Sequence, residues 1–125
     1  MPMNAKILGL AGATLLALST PLVAQPELVM VEQDGCVYCR RWHTEIGESY
    51  ARSDFGQAMP LRRVDLHDLP DDLSPARAVV FTPTFLLMDD GTELSRAEGY
   101  AGAELFWMQM ELLSRALPSE RPAAQ

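Results

Sequence analysis

The chain carries two cysteines, Cys36 and Cys39, in the run Gly35-Cys36-Val37-Tyr38-Cys39, where an apolar stretch gives way to a helical pattern. With two residues between them on a helix, the side chains lie one turn apart on the same face and their sulfurs can join without backbone movement. Such a dithiol exchanges with other disulfides: a thiolate attacks, a mixed disulfide forms, and the second thiol displaces the substrate sulfur. Cys36 is the expected nucleophile. Unpaired N–H groups and the macrodipole at a helix start favour an anion, lowering a thiol below its ordinary pKa of about 8.5. Arg40 and Arg41 add positive charge one turn on, a small effect from solvated side chains. Cys39, inside the first turn and more buried, is the expected resolving residue. A purely structural staple is the weaker reading, because closing so short a loop removes little entropy from the unfolded chain.

Zinc sites use the same spacing, and His43 and His67 are the two histidines that could complete a set. Neither spacing matches a closed zinc ligand set. His43 reads as a partly exposed helix residue and His67 as a loop residue, and no second Cys-x-x-Cys is present. A copper or zinc binding module using Cys36, Cys39 and His43 stands as the alternative function, and a catalytically idle fold serving as a binding partner as a third. Arg40 follows Cys39 where covalent haem attachment needs histidine. No metal and no cofactor beyond the dithiol itself is expected.

The elements that must position this pair follow from periodicity. Glu27 to Glu32 is a short apolar run with β-branched residues, bounded by Pro26 and Asp34-Gly35, and predicts a strand buried on both faces. From Cys36 to Ser53 the apolar positions Cys39, Trp42, Ile46 and Tyr50 recur at helical spacing. Ser53 to Gln57 reads as a break and Leu61 to Leu66 as a second strand. A strand, helix and strand of this length predict a right-handed crossover between parallel strands. Asp68 to Pro75 is turn-rich, and a short helix is expected over Ala76 to Val80. Phe81 to Met88 is a strand opened by Pro83; Asp89-Asp90-Gly91 is a hairpin turn; Thr92 to Glu98 returns antiparallel. Ala103 to Leu117 makes a final helix, stopped by Pro118, whose core-facing stripe takes in most of Leu105, Phe106, Met108, Met110, Leu112, Leu113 and Leu117. The fold class is α/β, in the order β-α-β-(α)-β-β-α: a four-stranded mixed sheet with helices on both faces.

Residues 1–24 predict a signal peptide: Lys6 is the positive n-region, Ile7 to Leu18 the apolar core, and Pro21-Leu22-Val23-Ala24 a cleavage site. The apolar stretch is short for a membrane span. Residues 25–117 then form one domain and 118–125 a disordered tail. Export places the protein in the periplasm, where disulfides persist. Removing the leader takes the formal charge from −7 to −8 and leaves arginine as the sole cationic residue type. No basic face remains for nucleic acid.

Cys36-Val37-Tyr38-Cys39 at a strand-to-helix junction, followed by Thr82-Pro83-Thr84-Phe85 opening a later strand, resembles the thioredoxin superfamily, over essentially all of Glu27 to Leu117. The resemblance implies a minimal thioredoxin-like fold in which Pro83 is cis and packs beside the dithiol. It also implies that Thr82, Pro83 and Tyr38 contact substrate, with the main chain at Thr82 offered to an extended segment. The chain departs from thioredoxins proper in several places. Gly35 stands for the tryptophan, Val37-Tyr38 for Gly-Pro, and Met30 for the buried aspartate six residues before the first cysteine, with Glu32 a weak substitute. The leader, the Gly-Cys-x-Tyr-Cys-x-Arg-Trp run and the closing Gly99-Tyr100 look most like the small periplasmic SoxS-type thioredoxins of bacterial sulfur-oxidation systems. That likeness implies a monomeric reductant for periplasmic protein thiols or disulfides, such as a sulfur-oxidation carrier protein, recharged by a membrane electron donor. The direction of electron flow is left open by Val37-Tyr38.

Overall fold

The apolar run after Pro26 becomes strand β1 (Glu27–Glu32), with Leu28, Val29, Met30 and Val31 fully buried. In the computed structural model, residues 2–3, 9, 11–19 and 25–119 are described. Half of the expected leader, including the expected cleavage site at residues 21–24, therefore lies outside the described residues, as do residues 120–125 of the expected tail; residues 11–19 carry no helix or strand. Among the described residues no helix is long and apolar enough to cross a membrane.

A helical rod follows β1 in three pieces: α1 (Val37–Trp42), a π-helical segment (His43–Gly47) and α2 (Glu48–Arg52). Cys39, Trp42, Ile46 and Tyr50 are all buried, as the periodicity predicts. Two successive steps of four residues drift around an α-helical cylinder of 3.6 residues per turn. The wider π turn takes up that drift and keeps Ile46 and Tyr50 on the core side. Ser53 to Gln57 is not the expected break. Ser53 ends α2 with extended backbone and its Oγ accepts from Gly56 N at 3.0 Å, capping a further short helix, α3 (Asp54–Ala58).

Strand β2 (Leu61–Asp65) returns parallel to β1, with Leu28 opposite Leu61. Strand β3 (Thr84–Asp89) runs antiparallel to β1 and forms a hairpin with β4 (Thr92–Glu98), giving the order β2-β1-β3-β4. Both turn residues take positive φ, Asp90 at 50° and Gly91 at 76°, the conformation that matches a two-residue hairpin. Pairing in β3 starts at Thr84 rather than Phe81, because Phe81 to Pro83 form a separate loop closed by Thr84 Oγ1 donating to Phe81 O at 2.6 Å.

The two faces of the sheet are covered differently. Leu28, Met30, Phe85, Leu87 and Ala97 meet the helical rod and α4 (Ala103–Ser114) in one cluster. Val29, Val31, Leu86 and Met88 form the second face, covered by Leu66, Leu69, Leu73 and Val79 of the connector after β2. The helix expected over Ala76–Val80 does not form, so helices lie on one face and not on both. Arg96, on β4, holds this segment instead. Its guanidinium donates to Arg77 O at 3.0 Å and to Ala78 O at 3.4 Å, pinning the connector to the sheet edge. The stripe on α4 is also narrower than expected. Phe106, Met110 and Leu113 are buried, whereas Leu105, Met108 and Leu112 are exposed around the other side of the cylinder.

Candidate functional site

Gln33-Asp34-Gly35-Cys36 is a tight turn between β1 and α1, closed by Cys36 N donating to Gln33 O at 3.3 Å. Gly35 sits in it at φ 76°, the third position of a turn that asks for glycine. Cys36 is thereby delivered to the N-cap of α1, where its Sγ accepts from the Cys39 backbone N–H at 3.1 Å. The two cysteines are joined in a disulfide, with Cα atoms 5.3 Å apart. Cys36 is partly exposed and Cys39 only 3% exposed.

The Thr82–Pro83 bond is cis, as the resemblance implies. Pro83 is buried and its carbonyl accepts from Gly99 N at 2.7 Å, which fastens this loop to the end of β4. Thr82 is brought to the dithiol turn through Gln33, whose Nε2 donates to Thr82 Oγ1 at 2.9 Å. Tyr38 and Phe81 stand exposed beside it. Together with Arg41, Thr82, Tyr100 and Leu105 they line a groove of about 550 Å³ that runs from the first turn of α1 towards α4. Thr82 and Tyr38, the residues expected to contact substrate, thus share one concavity; Pro83 lies behind them.

Of the two arginines expected to add charge near Cys36, Arg41 is already engaged. It donates to Glu45 at 2.7 Å, stacks over the Tyr100 ring at 5.6 Å, and Glu45 in turn accepts from the Tyr100 hydroxyl. The Tyr100 and Arg41 hydrogen bonds hold the Glu45 carboxyl below the ordinary range. Burial and the Glu45 carboxylate push the Tyr100 phenol up to about 12. This bridge joins the π segment to the loop after β4, and nothing in the local sequence announces it.

Met30, in the place of the family aspartate, is fully buried in the helix-side cluster. Glu32, two residues on, is engaged by His43 and Arg63. Its carboxylate lies 2.5 Å from His43 Nε2 and accepts from Arg63 Nε at 2.6 Å. Burial opposes its ionisation, but those hydrogen bonds outweigh it and leave the pKa lowered. His43 faces Glu32, and His67 bonds Gln33 Oε1 at 3.1 Å. Among the described residues no three His, Cys, Asp or Glu side chains converge as a metal site, so Cys36, Cys39 and His43 are not brought together as a ligand set.

No protein-family model matches the chain, and no curated protein does. Solved structures do. The periplasmic thioredoxin SoxS from Paracoccus pantotrophus, in its reduced form, is 44% identical over 74% of this chain and 98% of that one, with a TM-score of 0.71. Fasciola hepatica thioredoxin, 22% identical, covers 72% of this chain and 82% of its own at a TM-score of 0.53. A thioredoxin-fold protein from Helicobacter pylori, 18% identical, covers 74% and 70% at 0.56. The last two show the fold alone.

Proposed function

The chain belongs to the thioredoxin superfamily, most like its SoxS-type members, and is a thiol–disulfide oxidoreductase; from that premise we propose that it works in the periplasm as a monomeric reductant of protein disulfides. Cys36 is the attacking sulfur and Cys39 the resolving one. The observation that carries this reading is the asymmetry of the pair: Cys36 is reachable and hydrogen-bonded to a backbone N–H at the start of a helix, while Cys39 is sealed beneath it.

In the reduced protein the Cys36 thiolate attacks one sulfur of a substrate disulfide, forming a Cys36–substrate bond and expelling the other substrate sulfur as a thiolate. The Cys39 thiolate then attacks Cys36 Sγ. The Cys36–Cys39 disulfide forms, the second substrate thiolate leaves, and two electrons have passed to substrate. A membrane dithiol donor reverses the process and recharges the pair. Thr82 and Tyr38 wall the groove in which an extended substrate segment lies, with Pro83 supporting it from behind. The similarity to a periplasmic SoxS supports a sulfur-oxidation carrier protein as the physiological substrate.

Iodoacetamide alkylation of the reduced protein against pH tests the carrying observation. The Cys36 midpoint is expected below about 8.5, the value of a free thiol; a midpoint at or above it overturns the assignment. Expressed with its leader in the native host, Cys39→Ser should accumulate a mixed disulfide through Cys36. Failure to trap any periplasmic protein removes the protein-substrate reading.

A further inference from the structure

We propose that Gln33 is a positioning residue of the exchange reaction, tying the substrate-contacting segment at Thr82 to the turn that presents Cys36. This rests on the reading of Thr82 given above. The backbone ladder between β1 and β3 ends at the pair Val31 and Thr84. Continued two residues further in the same antiparallel register, Gln33 falls opposite Thr82. No strand pairing extends that far; the Gln33 side chain spans the gap instead, its Nε2 donating to Thr82 Oγ1 at 2.9 Å.

The same residue holds the nucleophile from its main chain, since Gln33 O accepts from Cys36 N at 3.3 Å. Its amide is oriented from the far side by His67, whose Nε2 donates to Gln33 Oε1 at 3.1 Å. His67 is in turn fixed by its own N–H donating to Asp65 Oδ1 at 2.7 Å. Among the described residues, Gln33 is therefore the single one bonded both to the turn carrying Cys36 and to the loop carrying Thr82. Neither bond touches a sulfur. Its influence falls on how a substrate strand is gripped, and not on the ionisation of Cys36.

The test is a double-mutant cycle of Gln33→Leu and Thr82→Val, read by steady-state reduction of insulin and, separately, of 5,5′-dithiobis(2-nitrobenzoate). Each single change is expected to raise KM for insulin by about three- to tenfold, the range that one neutral hydrogen bond spans. In Gln33→Leu, turnover at saturation, the rate with the small disulfide and the pH midpoint of Cys36 alkylation should be unchanged. The double variant should be no worse than either single one, because both remove one shared bond. Losses that multiply, a parallel fall with the small disulfide in Gln33→Leu, or an unchanged KM overturn the proposal. Amide hydrogen exchange in the oxidised protein gives a second reading: Gly99 N–H, which donates to Pro83 O at 2.7 Å and so reports on this loop, should exchange faster in Gln33→Leu, and equal protection overturns it. Should Gln33→Leu fail to fold, Thr82→Val removes the other end of the same bond and carries both measurements. If the unaltered protein does not reduce insulin, the protein-disulfide reading fails, while exchange at Gly99 still decides whether Gln33 holds that segment.

Discussion

Glu32 sits between His43 and Arg63 with its carboxyl held below an ordinary value of 4.5, and this has a sign that can be measured. A carboxyl whose pKa is depressed on folding adds stability above its unfolded pKa and loses it as pH falls. Unfolding free energy should therefore decline below about pH 4.5. In Glu32→Gln that acid limb should be flatter in urea titrations across pH 3 to 6. Tyr100 works in the opposite direction. Its phenol is raised from 10.0 to about 12, so its contribution is complete below pH 10 and fades as pH rises towards 12. Tyr100→Phe should remove that alkaline limb, and an unchanged alkaline profile would show that the Glu45 bridge adds no stability. At this scale the sequence was informative for residues whose chemistry is local. Cys36 and Cys39 announce themselves by spacing, and Pro83 by its place in Thr82-Pro83-Thr84. Gln33 and Tyr100 do not, because their partners lie 49 and 55 residues away. An amide or a phenol acquires its role only when the sheet and the helical rod bring that partner alongside.

Among elements, β1, the hairpin and the core stripe of the helical rod were legible because each depends on a short-range pattern. The connector was not. Its residues Ala76 to Val80 suit a helix, yet Arg96, on β4, captures their carbonyls while its own charge is met by Glu93 at 2.5 Å in a nearly buried pair. Arg96→Met keeps much of the volume and removes those bonds. It also leaves the Glu93 carboxylate without its cation in that buried position. We expect faster amide exchange over residues 76–80 and a lower urea midpoint; protection equal to the unaltered protein would show that the connector is held without the Arg96 bonds. On the other face, Phe106 touches Trp42, Tyr50, Phe85, Tyr100 and Trp107. Phe106→Ala should cost about 3–5 kcal/mol in denaturant unfolding, the usual range for removing a core aromatic ring. The π segment had no marker in the sequence. Its trace is the pair of four-residue steps from Trp42 to Ile46 to Tyr50, which an α-helix alone would turn away from the sheet.

For the molecule as a whole, redox state and folding are linked. If the protein is a reductant, its disulfide form is the favoured one, and the folded state must be stabilised more by the closed dithiol than by the open one. The oxidised protein should then have the higher urea midpoint of the two; the reverse order would mark an oxidant. The layout also has an uneven back and front. The unhelical cover over Val29, Val31, Leu86 and Met88 passes without interruption from Val79 through Val80 and Phe81 into Thr82. Rear shield and the proposed substrate lip are one length of backbone, so tightening one end tugs the other. A covalent clip between residues 77 and 95 would be felt at the groove lined by Tyr38 and Thr82.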